Sequence, residues 1–179
     1  KLIKQNTKAI VCMHASNVFG CVLPIEKIGK LAKENGLYFI VDAAQSAGIL
    51  DIDAQRDNID ILCAPGHKGL YAPMGTGFIA LGDNVKLDTL IDGGTGTLSM
   101  QLLQPELMPE RLESGTLNNI GIYGLGAGID FVNNKGVNNI YKHENSVVSF
   151  LYEQIKKNDN ITLYTPPFSD VFQAPILSF

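Results

Sequence analysis

Cysteine is scarce in this chain of 179 residues: Cys12, Cys21 and Cys63 are odd in number and widely spaced, with no CxxC pair and no nearby Cys/His set. That excludes a disulfide framework and any metal site legible from ligand spacing. The three read as reduced thiols, with Cys12 and Cys63 buried and inert because they sit in apolar runs. Basic runs are also missing. Fourteen Lys and Arg stand against 18 Asp and Glu, a net charge of -4, so nothing offers a footprint for a nucleic-acid backbone. No apolar stretch approaches the roughly 20 residues that cross a bilayer, and no signal-peptide pattern opens the sequence, so no membrane partner and a cytoplasmic location are expected. Neither repeats nor low-complexity segments occur. With 45% hydrophobic and 18% charged residues, the composition is that of a globular protein with room for one sizeable core.

The apolar pattern predicts an α/β architecture. Short runs at Lys8–His14, Leu37–Val41, Ile59–Ala64 and Gly77–Leu81 read as strands, the first as one buried on both faces. Between the first two, Ile25, Ile28, Leu31 and Ala32 recur at helical spacing, with Pro24 at the start and Gly36 past the end. Such alternation implies a mostly parallel sheet with helices on both faces, a three-layer α/β/α arrangement. Asp88 to Asn119 has little periodicity, which marks it as covering a site or a subunit contact. Helical spacing returns from Gly121 to Asn158, broken near Gly136, and Ile161 to Phe179 reads as the opening of a further strand-containing unit.

Ligands of parallel sheets collect at the carboxyl ends of the strands, and the unusual residues of this chain cluster there. His14, Ser16 and Asn17 follow the first run, Asp42 and Gln45 the second, His67 and Lys68 the third. A lysine directly after a buried strand is costly unless its amine is neutral, paired or covalently used; a solvated loop lysine is the plain alternative. Asp42 is followed by the small residues Ala43 and Ala44, which leave room for a flat ligand, and could equally be an N-cap. An acid that keeps a pyridine nitrogen protonated and a lysine that forms an imine with an aldehyde are the two parts that pyridoxal 5'-phosphate (PLP) chemistry needs from a protein.

Four segments then occur in a telling order: His14-Ala15-Ser16-Asn17-Val18-Phe19-Gly20, Val41-Asp42-Ala43-Ala44-Gln45-Ser46-Ala47-Gly48, Gly66-His67-Lys68-Gly69 and Arg111-Leu112-Glu113-Ser114-Gly115-Thr116. Together they resemble the class V aminotransferases of PLP fold type I, in the branch of cysteine desulfurases and selenocysteine lyases. The resemblance implies Lys68 as the Schiff-base lysine, Asp42 as partner of the pyridine nitrogen and Gln45 on the phenolic oxygen. It places Asn17 near that oxygen or the substrate carboxylate, and His67 on the phosphate. Thr116, with the Gly94-Thr95-Gly96 loop, would reach the phosphate of a neighbouring subunit's cofactor, which implies a homodimer; the substrate would be an amino acid.

The family pattern also extends beyond both ends, so the chain is expected to be a fragment. Residues 1–135 would be the second half of a PLP-binding large domain, and 136–179 a linking helix and the beginning of a small α+β domain. With half a pocket, the isolated chain is expected to bind PLP weakly or not at all. Pro65 stands where many desulfurases carry a hydroxyl, and none of the three cysteines matches the sulfur-accepting one. Other readings stay open on residues alone: His14 as a satisfied core histidine, Asn17 and Gln45 as loop hydrogen-bonders, Arg111 with Glu113 as a structural ion pair, and His143 as a surface residue. The whole could be a degenerate, non-catalytic subunit or binding module. A dinucleotide-dependent oxidoreductase ranks below because no GxGxxG turn is present.

Overall fold

The computed structural model describes residues 2–98, 100–168 and 172–179. Strands β1 (Ala9–Met13), β2 (Tyr38–Asp42), β3 (Ile61–Pro65) and β4 (Gly77–Leu81) form one sheet in the order β1-β2-β3-β4. The first three run parallel and β4 returns antiparallel on β3. Helix α1 (Ile25–Glu34) connects β1 to β2, and α2 (Asn119–Lys135) and α3 (Val137–Ile155) follow the long loop. This is the expected mostly parallel sheet with flanking helices. Pro24 precedes α1, where a missing N–H costs nothing, and Ile25, Gly29 and Ala32 form its buried stripe. Gly136, at φ 81°, separates α2 from α3 in a conformation that other residues enter at a cost.

The core lies between the sheet and the helices. Ile10, Cys12, Phe39, Val41 and Leu62 alternate onto one face of the sheet and meet Ile25, Ile28 and Ala32 of α1. Ala64 and Phe78, on that same face, meet Leu125 and Ile129 of α2. Phe39 and Val41 are wholly buried, which stabilises the fold by about 2 kcal/mol each.

On the opposite face Val11, Met13, Tyr38 and Ile79 are exposed. The first strand is therefore not buried on both sides, because it is an outer strand with Val11 67% accessible. Where alternation suggested helices on both faces, α1 and α2 share one. The β2-to-β3 connection, 43–60, consists of turns without a helix. The C-terminal segment also departs from expectation. Among the described residues of 161–179 there is an isolated bridge, Gln173 to Cys21, and no longer strand. Residues 169–171 lie outside the described ones.

Candidate active site

β2 delivers Asp42 at its carboxyl end, side chain exposed on the face opposite α1 and α2. Register sets Met13, Asp42 and Cys63 side by side across β1, β2 and β3. The Asp42 Oδ1 accepts the Ala44 N–H at 2.8 Å, which orients the carboxylate over a turn; no helix begins there for it to cap. Its backbone carbonyl accepts the His14 N–H at 2.8 Å, and the Ala43 N–H donates to the Cys63 carbonyl at 2.8 Å. Three strand ends are thus tied together by main-chain bonds.

Beyond Pro65 the chain doubles back. The Gly66 N–H donates to the Thr76 carbonyl at 2.8 Å, the Ala72 N–H to the Gly66 carbonyl at 2.9 Å, and the Tyr71 N–H to the Lys68 carbonyl at 2.9 Å, closing a turn that starts at Lys68. His67 and Lys68 are both exposed. Of the two readings open for Lys68, the structure shows the solvated one: the strand ends at Pro65, and the intervening turn carries the side chain into solvent. The Lys68 turn touches the segment after Asp42 backbone to backbone. A Cβ on Gly48 would sit 2.1 Å from the Gly69 carbonyl oxygen, and one on Gly69 would sit 2.4 Å from that of Ala47.

Of the other expected site residues, Gln45 is half-buried in the loop after Asp42. Asn17 is exposed in a loop where Ser16 Oγ accepts the Val18 and Phe19 N–H groups, each at 3.2 Å. Asn17, Asp42, Gln45, His67 and Lys68 therefore leave from one edge of the sheet. Thr116 is exposed beside the glycine-rich loop, whose Gly93 carbonyl accepts the Gly115 N–H at 2.8 Å. Gln104 organises both segments: its Oε1 accepts the Gly93 N–H at 2.8 Å and its Nε2 donates to the carbonyls of Glu110 and Glu113. Arg111 does not pair with Glu113. It lies 3.6 Å from Asp88 and donates to the Leu87 carbonyl at 3.3 Å.

A cavity of about 590 Å³ opens on the face opposite α1 and α2, lined by Asp42, Cys63, Pro65, Ile79, Met108 and Glu113 among others. His67 and Lys68 are not part of its wall. Cys63 was misjudged as a plain core thiol. It is half-buried and shares this wall with Asp42, and burial, then the Asp42 charge, pushes its thiol above the usual range. Strand parity counted from Asp42 would have shown this. His14 is buried but not satisfied, since its Nδ1 has no partner, and burial holds it below the ordinary histidine value against the pull of Asp57. His143 is exposed, as expected.

Comparison with known proteins decides the family. The model of the family described as "Aminotransferase class-V" matches residues 1–178. This chain belongs to the class V aminotransferase family. A "Probable cysteine desulfurase" of Methanothermobacter thermautotrophicus is 35% identical over 169 residues, 92% of this chain and 42% of the relative. The apo structure of cysteine desulfurase from Thermococcus onnurineus superposes with a TM-score of 0.80 at 30% identity, covering 95% of this chain and 43% of the other. A solved structure of SspA in complex with cysteine is similar at a TM-score of 0.62 and 37% identity, over 72% of this chain and 34% of that one. The chain spans less than half the length of these three proteins.

Proposed function

We propose that this chain supplies the lysine-bearing part of a PLP-dependent enzyme that acts on an amino acid, as a cysteine desulfurase or lyase or as an aminotransferase. One observation carries the reading: Asp42 and Lys68 leave the carboxyl ends of adjacent parallel strands on loops that touch through Gly48 and Gly69. The donor set fits the cofactor. Asp42 binds one backbone N–H through Oδ1, and Lys68 takes part in no salt bridge among the described residues. When bound, PLP supplies an electron sink for carbanion chemistry. Asp42 would hold a proton on the ring nitrogen, Gln45 and Asn17 would donate to ring or substrate oxygens, and His67 would donate to the phosphate. Lys68 would hold the cofactor and move a proton as general acid and base.

Thr116 and the glycine-rich loop would serve a second subunit's site in a homodimer, with residues 1–135 as large-domain and 136–179 as small-domain sequence. The similarity to the structure holding cysteine supports a small amino acid as substrate, and three unpaired cysteines fit a cytoplasmic location. The test is trapping. In a longer protein carrying this chain, PLP followed by borohydride is expected to leave one reduced adduct, mapped to Lys68 and lost in Lys68→Ala. Labelling spread over the surface lysines, or an adduct that survives Lys68→Ala, would remove the assignment. The isolated chain is expected to form no stable adduct at low micromolar PLP, and to favour Lys68 when PLP is raised to millimolar.

A further inference from the structure

The turn that carries Lys68 is gripped from a second side. Helix α2 runs along residues 70–76, and Gly121, Gly124 and Gly128 meet Thr76, Pro73 and Leu70 in turn. Positions i, i+3 and i+7 share one helix face, so the spacing suits a helix lying antiparallel to that loop. A Cβ on Gly128 would sit 2.1 Å from the Leu70 carbonyl oxygen and 3.3 Å from the Tyr71 carbonyl carbon. Those are backbone atoms with no rotamer to yield, in contrast to Gly126 on the same helix, which has nothing within 4 Å. Tyr71, the last residue of the Lys68 turn, stands at φ 54°, a left-handed conformation that a bulky residue holds only when its surroundings enforce it. Its surroundings are again helical: the ring packs edge-on to Phe131 of α2 at 5.1 Å, and the hydroxyl donates to Glu144 of α3 at 3.2 Å.

We propose that α2 is the positioning element for Lys68, with Gly128 as the positioning residue that seats the helix on Leu70 and the Phe131–Tyr71 contact as the second hold. This rests on the reading of Lys68 as the cofactor-binding lysine. It adds to that reading a group remote from any substrate on which the lysine's placement depends. Because Gly48 and Gly69 lock the same turn to the Asp42 loop, α2 sets the spacing between acid and amine rather than the lysine alone.

Hydrogen exchange read by mass spectrometry tests this without any cofactor, with Gly126→Ala as control. In Gly128→Ala, peptides covering 66–76 are expected to exchange roughly tenfold faster or more, while those covering β2 and β3 keep wild-type rates. Phe131→Leu, at a half-exposed position that keeps the helix intact, is expected to give the same local pattern at smaller size and serves if Gly128→Ala does not fold. Exchange unchanged at 66–76 in the folded variants, or uniformly faster throughout, would overturn the proposal. In parallel, the initial rate of borohydride-trapped PLP at Lys68 should fall in both variants and hold in Gly126→Ala. If the wild type traps no PLP at Lys68 even at millimolar concentration, the cofactor reading fails, while the exchange measurement still decides the role of α2.

Discussion

Asp57 is buried to 1% exposure, and burial alone would lift its carboxyl; two bonds from Arg56 and one from the Asp53 N–H at 3.1 Å outweigh that and hold it below the ordinary value. His14, kept neutral by burial, lies within reach of its field. Both groups have a folded-state pKa depressed relative to the unfolded chain, so the unfolded state binds more protons as acid is added and stability falls. The stability that His14 contributes is complete above about pH 6.5 and declines below it, by at most about 1.4 kcal/mol per pH unit, with the Asp57 share lost only in stronger acid. Urea midpoints measured from pH 7.5 to 5 should therefore drop in the wild type and stay flatter in His14→Gln; equal slopes would show that His14 is not the sensor. At the proposed site, Asp42→Ala in the longer protein should lower turnover by about two orders of magnitude with little change in melting temperature, because the side chain is exposed. A melting temperature that falls with the activity would mark Asp42 as structural.

The elements divide into those that local chemistry dictates and those that only packing reveals. Helix α2 begins where Asn118 accepts the Gly121 N–H at 3.0 Å, so Asn118→Ala should cost about 1 kcal/mol in chemical denaturation. Gly126→Ala in the same helix should add about 0.5–1 kcal/mol, since the methyl meets open space. Strands β1 to β4 and helix α1 were legible because their apolar periods are clean and Pro24 and Gly36 punctuate them, and the placement of Asp42, His67 and Lys68 at strand ends was legible because each follows directly on an apolar run. Sidedness was not legible: alternation tells which residues share a face, and only the packing of Leu125 and Ile129 on Ala64 and Phe78 tells that α2 chooses the face of α1. The exposure of Lys68 was legible only as one of two alternatives, because a turn's path cannot be read from its glycines. The Arg111–Glu113 pair failed because Arg111 turns instead to the Leu87 carbonyl and Asp88, partners distant in sequence.

For the molecule as a whole, the largest unsatisfied demand is apolar. Leu90, Met100, Leu102, Leu103 and Leu107 stand out from the loop before η1 (Glu110–Leu112), and Val11, Met13 and Ile79 from the sheet face opposite α1 and α2. Surfaces of this kind mark interfaces or association. Sedimentation velocity is expected to show the longer protein as a dimer that dissociates when Leu102→Glu and Leu103→Glu are combined; an unchanged dimer would exclude this loop from the contact. The sheet order has a separate consequence, for biogenesis. Each strand pairs with the one translated just before it, so every ladder can close as soon as its second member leaves the ribosome, without waiting for distal sequence. The docking of α2 on the Lys68 turn must await a later part of the nascent chain, and the bridge from Gln173 back to Cys21 a later one still, so the loops at the strand ends settle after the ladders they leave.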